Sequence, residues 1–148
     1  MNTKIQFNDL NFESEFSSEK ELQRYIETNI ERFCQDILED KYVSHKADEP
    51  VVQMVRQRAR GTKRIDLLVT CENSLFIIEL KAGGGNNTRA GIGQLLDYGR
   101  EFTYPIKKMV LLSATFDSST ALTIEEYKLP ITYMVMRKAQ TYIYQEAA

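Results

Sequence analysis

Ile65-Asp66-Leu67-Leu68-Val69-Thr70-Cys71-Glu72-Asn73-Ser74-Leu75-Phe76-Ile77-Ile78-Glu79-Leu80-Lys81 is the stretch that decides how this chain folds. Two runs rich in β-branched and aromatic residues, 65–70 and 75–81, flank the short polar segment 71–74. That pattern predicts two strands joined by a tight turn, an antiparallel hairpin. With the loop at 71–74, Thr70 faces Leu75, Leu68 faces Ile77 and Asp66 faces Glu79. Directly opposed residues share a face, with Cβ atoms roughly 4.5–5.5 Å apart. Glu79 and Lys81, two apart on one strand, share it as well. An otherwise apolar strand thus ends in Glu-x-Lys with a second carboxylate opposite. Two opposed carboxylates repel each other, and a sequence that only had to fold would not favour the arrangement. A divalent cation between them removes the repulsion, and Asp and Glu oxygens suit Mg²⁺ or Mn²⁺. A one-residue slip in register would break the constellation.

Upstream, Ser18-Glu19-Lys20-Glu21 has the form of a capping box, with Glu21 placed to reach back to the cap. Leu22, Ile26, Ile30, Phe33 and Ile37 follow at helical spacing. Glu19 is the only acid on that stripe, so it is aimed at the sheet and is a candidate third metal ligand beside Asp66 and Glu79. Residues 42–50 read as a loop closing on Pro50, and 51–56 as a strand. Downstream of the hairpin, the glycine-rich loop 83–87 leads into a helix over 88–102, with Ile92, Leu95, Leu96, Gly99 and Phe102 on one face. Gly91, Gly93 and Gly99 each cost this helix about 1 kcal/mol relative to alanine, unless close backbone packing requires them. Gln94 and Tyr98, i and i+4, sit on the flank of its apolar face, where they overlook the strand ends bearing Asp66 and Glu79. A strand at 108–113, a helix at 118–128, a strand at 131–136 and a short strand at 142–144 complete the chain. The order α-β-β-β-α-β-α-β predicts an α/β fold with a mixed central sheet flanked by helices.

The chain has 148 residues and a net charge of −2. That length suits one domain spanning 1–148, with 1–17 as an N-terminal extension. The composition, 43% hydrophobic and 27% charged, excludes a chain disordered throughout. No apolar run reaches the roughly 18 residues of a membrane span, and the first residues lack signal-peptide layout. Cys34 and Cys71 make neither a disulfide framework nor a zinc site, so a cytoplasmic protein is expected. The single histidine, His45, excludes a Ser-His-Asp or Cys-His nucleophile system. The charge is unevenly spread. Residues 1–50 hold 12 acids and 6 bases, whereas 51–64 hold five bases (Arg56, Arg58, Arg60, Lys63 and Arg64) and no acid. Beside Asp66, these five are candidates for holding phosphates.

Together these residues read as a site for metal-assisted phosphodiester hydrolysis, with Lys81 orienting a water or stabilising developing negative charge. Asp66 followed by Glu79-x-Lys81, behind a helix opening Ser-Glu-Lys-Glu-Leu, resembles the PD-(D/E)XK nuclease superfamily. Lys63-Arg64-Ile65-Asp66-Leu67-Leu68, Phe76-Ile77-Ile78-Glu79-Leu80-Lys81 and Gly93-Gln94-Leu95-Leu96-Asp97-Tyr98 are similar to the catalytic domain of NucS (EndoMS)-type endonucleases. The resemblance covers roughly 18–136. It implies a restriction-endonuclease-like core (αβββαβ) and Mg²⁺-dependent cleavage of DNA. It further implies Asp66, Glu79 and Glu19 as metal ligands, Lys81 as the catalytic lysine, and Gln94 and Tyr98 as the glutamine and tyrosine of the second helix. Two departures stand out: Ile65 replaces the usual proline before the first aspartate, and the family's sheet-rich N-terminal DNA-binding and dimerisation domain has no counterpart. A homodimer or a separate partner would then supply specificity. The competing reading is a non-catalytic nucleic-acid-binding or interaction module on the same fold.

Overall fold

The chain was described from a computed structural model, which covers residues 2–3, 12–55, 58–101, 107–138 and 140–145, with backbone only for 2–3, 51–55, 58–63 and 144–145. The elements are β1 (Asn2–Thr3), α1 (Glu19–Thr28), α2 (Ile30–Phe33) running into a π-helical turn (Cys34–Leu38), and β2 (Tyr42–Val55). They continue with β3 (Arg58–Cys71), β4 (Leu75–Lys81), α3 (Asn86–Arg100), β5 (Lys107–Ser113), α4 (Ser118–Glu126), β6 (Ile131–Met136) and β7 (Thr141–Gln145). The strands form one seven-stranded mixed sheet in the order β1-β7-β6-β5-β4-β3-β2. β4, β5 and β6 run parallel through crossover helices, and antiparallel strands flank them. This is the α/β class with helices on both faces that the sequence predicts.

β4 is buried along its whole length, as expected of a central strand covered on both faces. Its even-numbered residues Phe76, Ile78 and Leu80 join Leu22, Ile26 and Phe33 in one core layer beneath α1 and α2. The other layer lies beneath α3 and α4 and gathers Ile65, Ile77, Leu95, Leu111, Ile124 and Tyr133. Glu79 and Lys81 alternate with the first layer and therefore face α3.

The hairpin has the predicted register where it is paired, Thr70 opposing Leu75 and Leu68 opposing Ile77, but the ladder stops at Leu67–Ile78 and does not include the expected Asp66–Glu79 pair. Other expectations need correction. Residues 42–50 are not a loop but the first half of β2, an edge strand paired with β3 from Tyr42 to Val55. Their polar composition hid the strand, because an edge exposes side chains on both faces and tolerates Pro50. The helix begun at Ser18 does not run on to Ile37. Asn29 turns its side-chain amide onto the Tyr25 carbonyl (2.9 Å), competing with the helical backbone, and the π-helical turn then re-phases the chain. Ser18 caps α1 as predicted, its Oγ accepting from the Glu21 N–H at 3.1 Å. Glu21 reaches one residue further back than the box requires, accepting from the Ser17 hydroxyl and from Ser17 N (3.0 Å), which together hold its carboxyl below the usual range. Within the N-terminal extension, Asn2–Thr3 pairs with β7 and Phe16 is buried against Tyr25.

α3 begins two residues before the predicted start. Gly91 and Gly99 are there for packing: a Cβ at Gly91 would lie 2.6 Å from Leu111 Cδ1, and one at Gly99 2.7 Å from Met109 Sδ. Gly93 has nothing within 4 Å. Phe102, placed on the same face by its spacing, lies outside the described residues. Cys71 ends β3 and, like Cys34, is a buried free thiol. His45 lies on β2, where a register irregularity between Tyr42 and Ser44 brings Tyr42 and His45 together. Its ring bridges the Tyr42 hydroxyl (2.8 Å) and Glu27 (3.0 Å), tying the edge strand to α1.

Candidate active site

The alternating pattern of the β3–β4 ladder assigns the Leu80 N–H to the carbonyl of Ile65. Asp66 takes it instead, its Oδ2 accepting from Leu80 N at 2.8 Å. The backbone pairing of β3 with β4 ends at Leu67–Ile78. Beyond that point Ile65 packs in the layer under α3, although Leu67 packs in the opposite one. β3 thus peels away from β4 at Asp66, leaving a notch in which the Asp66 and Glu79 carboxylates meet.

Lys81 Nζ sits 3.3 Å from Glu79 Oε2, with both side chains more than nine-tenths buried. α3 closes over them at Gly91, where an added Cβ would be 3.4 Å from Lys81 Cε and 3.5 Å from Glu79 Cγ. One cation against two carboxylates is an unbalanced charge set in a low-dielectric place. Burial, and then the charge of Asp66, push the Glu79 carboxyl up to about 8, while Lys81 pulls it back. Burial also raises Asp66, opposed by the Leu80 N–H, and the charge of Glu19 raises it further. At neutral pH the pair therefore holds a proton unless a cation replaces it.

The sequence-predicted residues arrive unequally. Asp66, Glu79, Lys81 and Tyr98 converge. Tyr98 is almost wholly buried, and burial followed by the charges of Glu79 and Asp66 raises its phenol to about 12. Its hydroxyl donates to the carbonyl of Arg64, which opposes Pro50 of β2, at 3.0 Å. Gln94 lies one turn earlier on α3, its Oε1 buried without a hydrogen-bond partner among the described residues. Glu19 does not complete a ligand cluster. It is exposed in the first turn of α1, on the opposite side of the sheet from Glu79, and only its charge is felt at Asp66. Among the described residues no group of three or more His, Cys, Asp or Glu is gathered to hold a metal.

Of the five basic residues, Arg64 is described with its side chain, exposed and donating to the Asp48 carbonyl at 3.0 Å. Arg58, Arg60 and Lys63 are placed by backbone on β3, and Arg56 lies outside the described residues. No helix among the described residues is long and apolar enough to cross a membrane.

The donor set fits a hard divalent cation. Glu79 Oε1 is buried with no hydrogen-bond partner among the described residues, and it stands beside a second carboxylate whose repulsion a cation would relieve. Asp66 and Glu79 would hold it. No family model matches this chain, and neither does any curated protein or solved structure.

Tyr98→Phe is expected to lower stability by about 1–2 kcal/mol, because it leaves the Arg64 carbonyl unsatisfied at the root of β3. Urea denaturation measures this; an unchanged midpoint would show that water replaces the hydroxyl without cost.

Proposed function

We propose that this protein is a metal-dependent endonuclease that hydrolyses DNA phosphodiester bonds. Glu79 Oε1 carries the reading: with the pair ionised, it is a buried carboxylate oxygen without a hydrogen-bond donor among the described residues, beside a second carboxylate and a buried lysine. A fold that only had to be stable would fill this place with apolar side chains, since burying unbalanced charge is costly. The mixed sheet with Asp66 and Glu79-x-Lys81 at its centre agrees with the restriction-endonuclease-like core that the PD-(D/E)XK resemblance implies.

In this reading Asp66 and Glu79 hold Mg²⁺ or Mn²⁺, which when bound supplies Lewis-acid polarisation of the phosphate and a more acidic water. Lys81, fixed by its ion pair with Glu79, presents N–H groups to the attacking water and to the charge that develops on the phosphate. Asp66 is locked by the Leu80 N–H, so its free oxygen keeps one orientation. Tyr98 holds the backbone two residues before Asp66 and acts as a positioning residue. Gln94 offers its side-chain oxygen, unpartnered among the described residues, to a ligand or to an ordered water at the notch.

The deciding experiment incubates the purified chain with single-stranded, duplex and branched DNA in EDTA, Mg²⁺ or Mn²⁺, beside Asp66→Ala and Glu79→Ala. Metal-dependent cutting lost in both variants is expected. Cutting retained by either variant would sink the assignment. DNA binding in EDTA with no cutting when metal is restored would favour a non-catalytic binding module.

A further inference from the structure

β3 runs well past its contact with β4. Its pairs with β4 span Leu67–Thr70, whereas its pairs with β2 continue through Glu49–Ile65, Pro50–Arg64, Val51–Lys63, Val52–Thr62 and Met54–Ala59 to Val55–Arg58. Beyond the notch, then, β2 and β3 are paired with each other and not with β4: a two-stranded ribbon rooted at the candidate active site. At roughly 3.3 Å per residue, the six residues from Arg58 to Lys63 span about 20 Å. Two contacts fix the root: the Tyr98 hydroxyl on the Arg64 carbonyl, and the Arg64 guanidinium on the Asp48 carbonyl of β2. Within 51–64 the sequence holds no acid, and β3 alone carries Arg58, Arg60, Lys63 and Arg64 in this segment, within a chain of net charge −2.

We propose that this ribbon enters the major groove of B-form duplex DNA and seats the duplex against Asp66, Glu79 and Lys81. The B-form major groove, about 12 Å wide, admits a two-stranded β-ribbon, whereas the A-form groove of double-stranded RNA is deep and narrow and a single strand has no groove. The concentrated positive charge supplies phosphate contacts and so affinity without base readout. The ribbon's substrate choice rests on the reading of the notch as a DNA phosphodiester site, and it narrows that substrate to duplex DNA.

The test measures binding by the full chain in EDTA, where nothing is cut, to a DNA duplex, the single strand and an RNA duplex of the same sequence. A fourth probe is a DNA duplex with bulky groups on thymine C5 that fill the major groove. The wild type is expected to prefer the plain DNA duplex over all three. Arg58→Gln with Arg60→Gln should weaken that binding ~10-fold and flatten its log–log salt slope by about 2, one unit per lost phosphate contact. Lys41→Gln with Lys128→Gln, the same charge removed elsewhere, should change neither. Equal affinity for the RNA duplex or the groove-filled duplex overturns the proposal, as does an unchanged slope in the arginine variant. The nuclease reading fails separately: no metal-dependent cutting by the wild type would leave these binding preferences intact.

Discussion

Glu79→Gln is expected to abolish cleavage and, in metal-free buffer at pH 8, to raise the melting temperature. The loss of turnover should reach at least ~1,000-fold, about 4 kcal/mol in the barrier. The gain in stability follows from the direction of the pKa shift. Glu79 titrates near 4.5 when unfolded and near 8 when folded, so between these values the folded state binds more protons. Stability falls as pH rises wherever the native state is the more protonated. The favourable contribution is complete below about pH 4.5 and is lost progressively as pH climbs through 8. Glutamine keeps the shape and has no charge to desolvate. The variant should therefore melt about 5 °C above the wild type at pH 8, close to it at pH 5, and with a flatter pH profile between. Mg²⁺ should narrow the gap at pH 8 by stabilising only the wild type, through mass action on the folded state. A variant that melts below the wild type equally at pH 5 and pH 8 would show that Glu79 is a structural staple rather than a site carboxylate.

The second large effect lies in α3. Gly91→Val should lower the melting temperature by ~5–10 °C and depress cleavage, whereas Gly93→Ala, two residues away, should raise stability by up to about 1 kcal/mol. Both glycines burden the helix equally on propensity. They differ in surroundings, since a Cβ at Gly91 would meet Leu111 Cδ1 at 2.6 Å inside a filled core, while Gly93 faces open space. Overpacking costs ~1–3 kcal/mol, and a branched side chain cannot dodge it within a helix. Lifting α3 from β4 also displaces Tyr98 from the Arg64 carbonyl beside the notch. Thermal melts and cleavage rates on both variants check this; two glycines with the same response would mean that α3 is not seated by close packing.

Much of the site was legible because it is local. The turn 71–74 is short and polar, so its length sets the register from Thr70–Leu75 to Leu67–Ile78, which brings Asp66 and Glu79 to the same end of the hairpin. The Glu79–Lys81 pairing follows from strand alternation in the same way. What could not be read is non-local. The strand at 42–50 has no periodicity of its own and exists because β3 offers it a ladder. The aim of Glu19 was judged from a helical wheel, which shows the sheet side of α1 but not that Glu79 lies on the other face of that sheet. Nor does any pattern announce that Asp66 replaces a backbone carbonyl as the acceptor for Leu80, the substitution that opens the notch.

The pairing of Asn2–Thr3 with Thr141–Tyr142 has a temporal consequence. During synthesis the first strand of this sheet has no partner until the last one has been made. The β3–β4 hairpin, by contrast, needs only a four-residue turn and can form as soon as it emerges. Loop-closure entropy makes the β1–β7 seam the final contact to close, and its amides the first to exchange with solvent from the native state. Opening that seam bares the outer edge of β7, a template for pairing with another chain. The same folding order that assembles the chemistry early leaves the sheet's protection against self-association to the end.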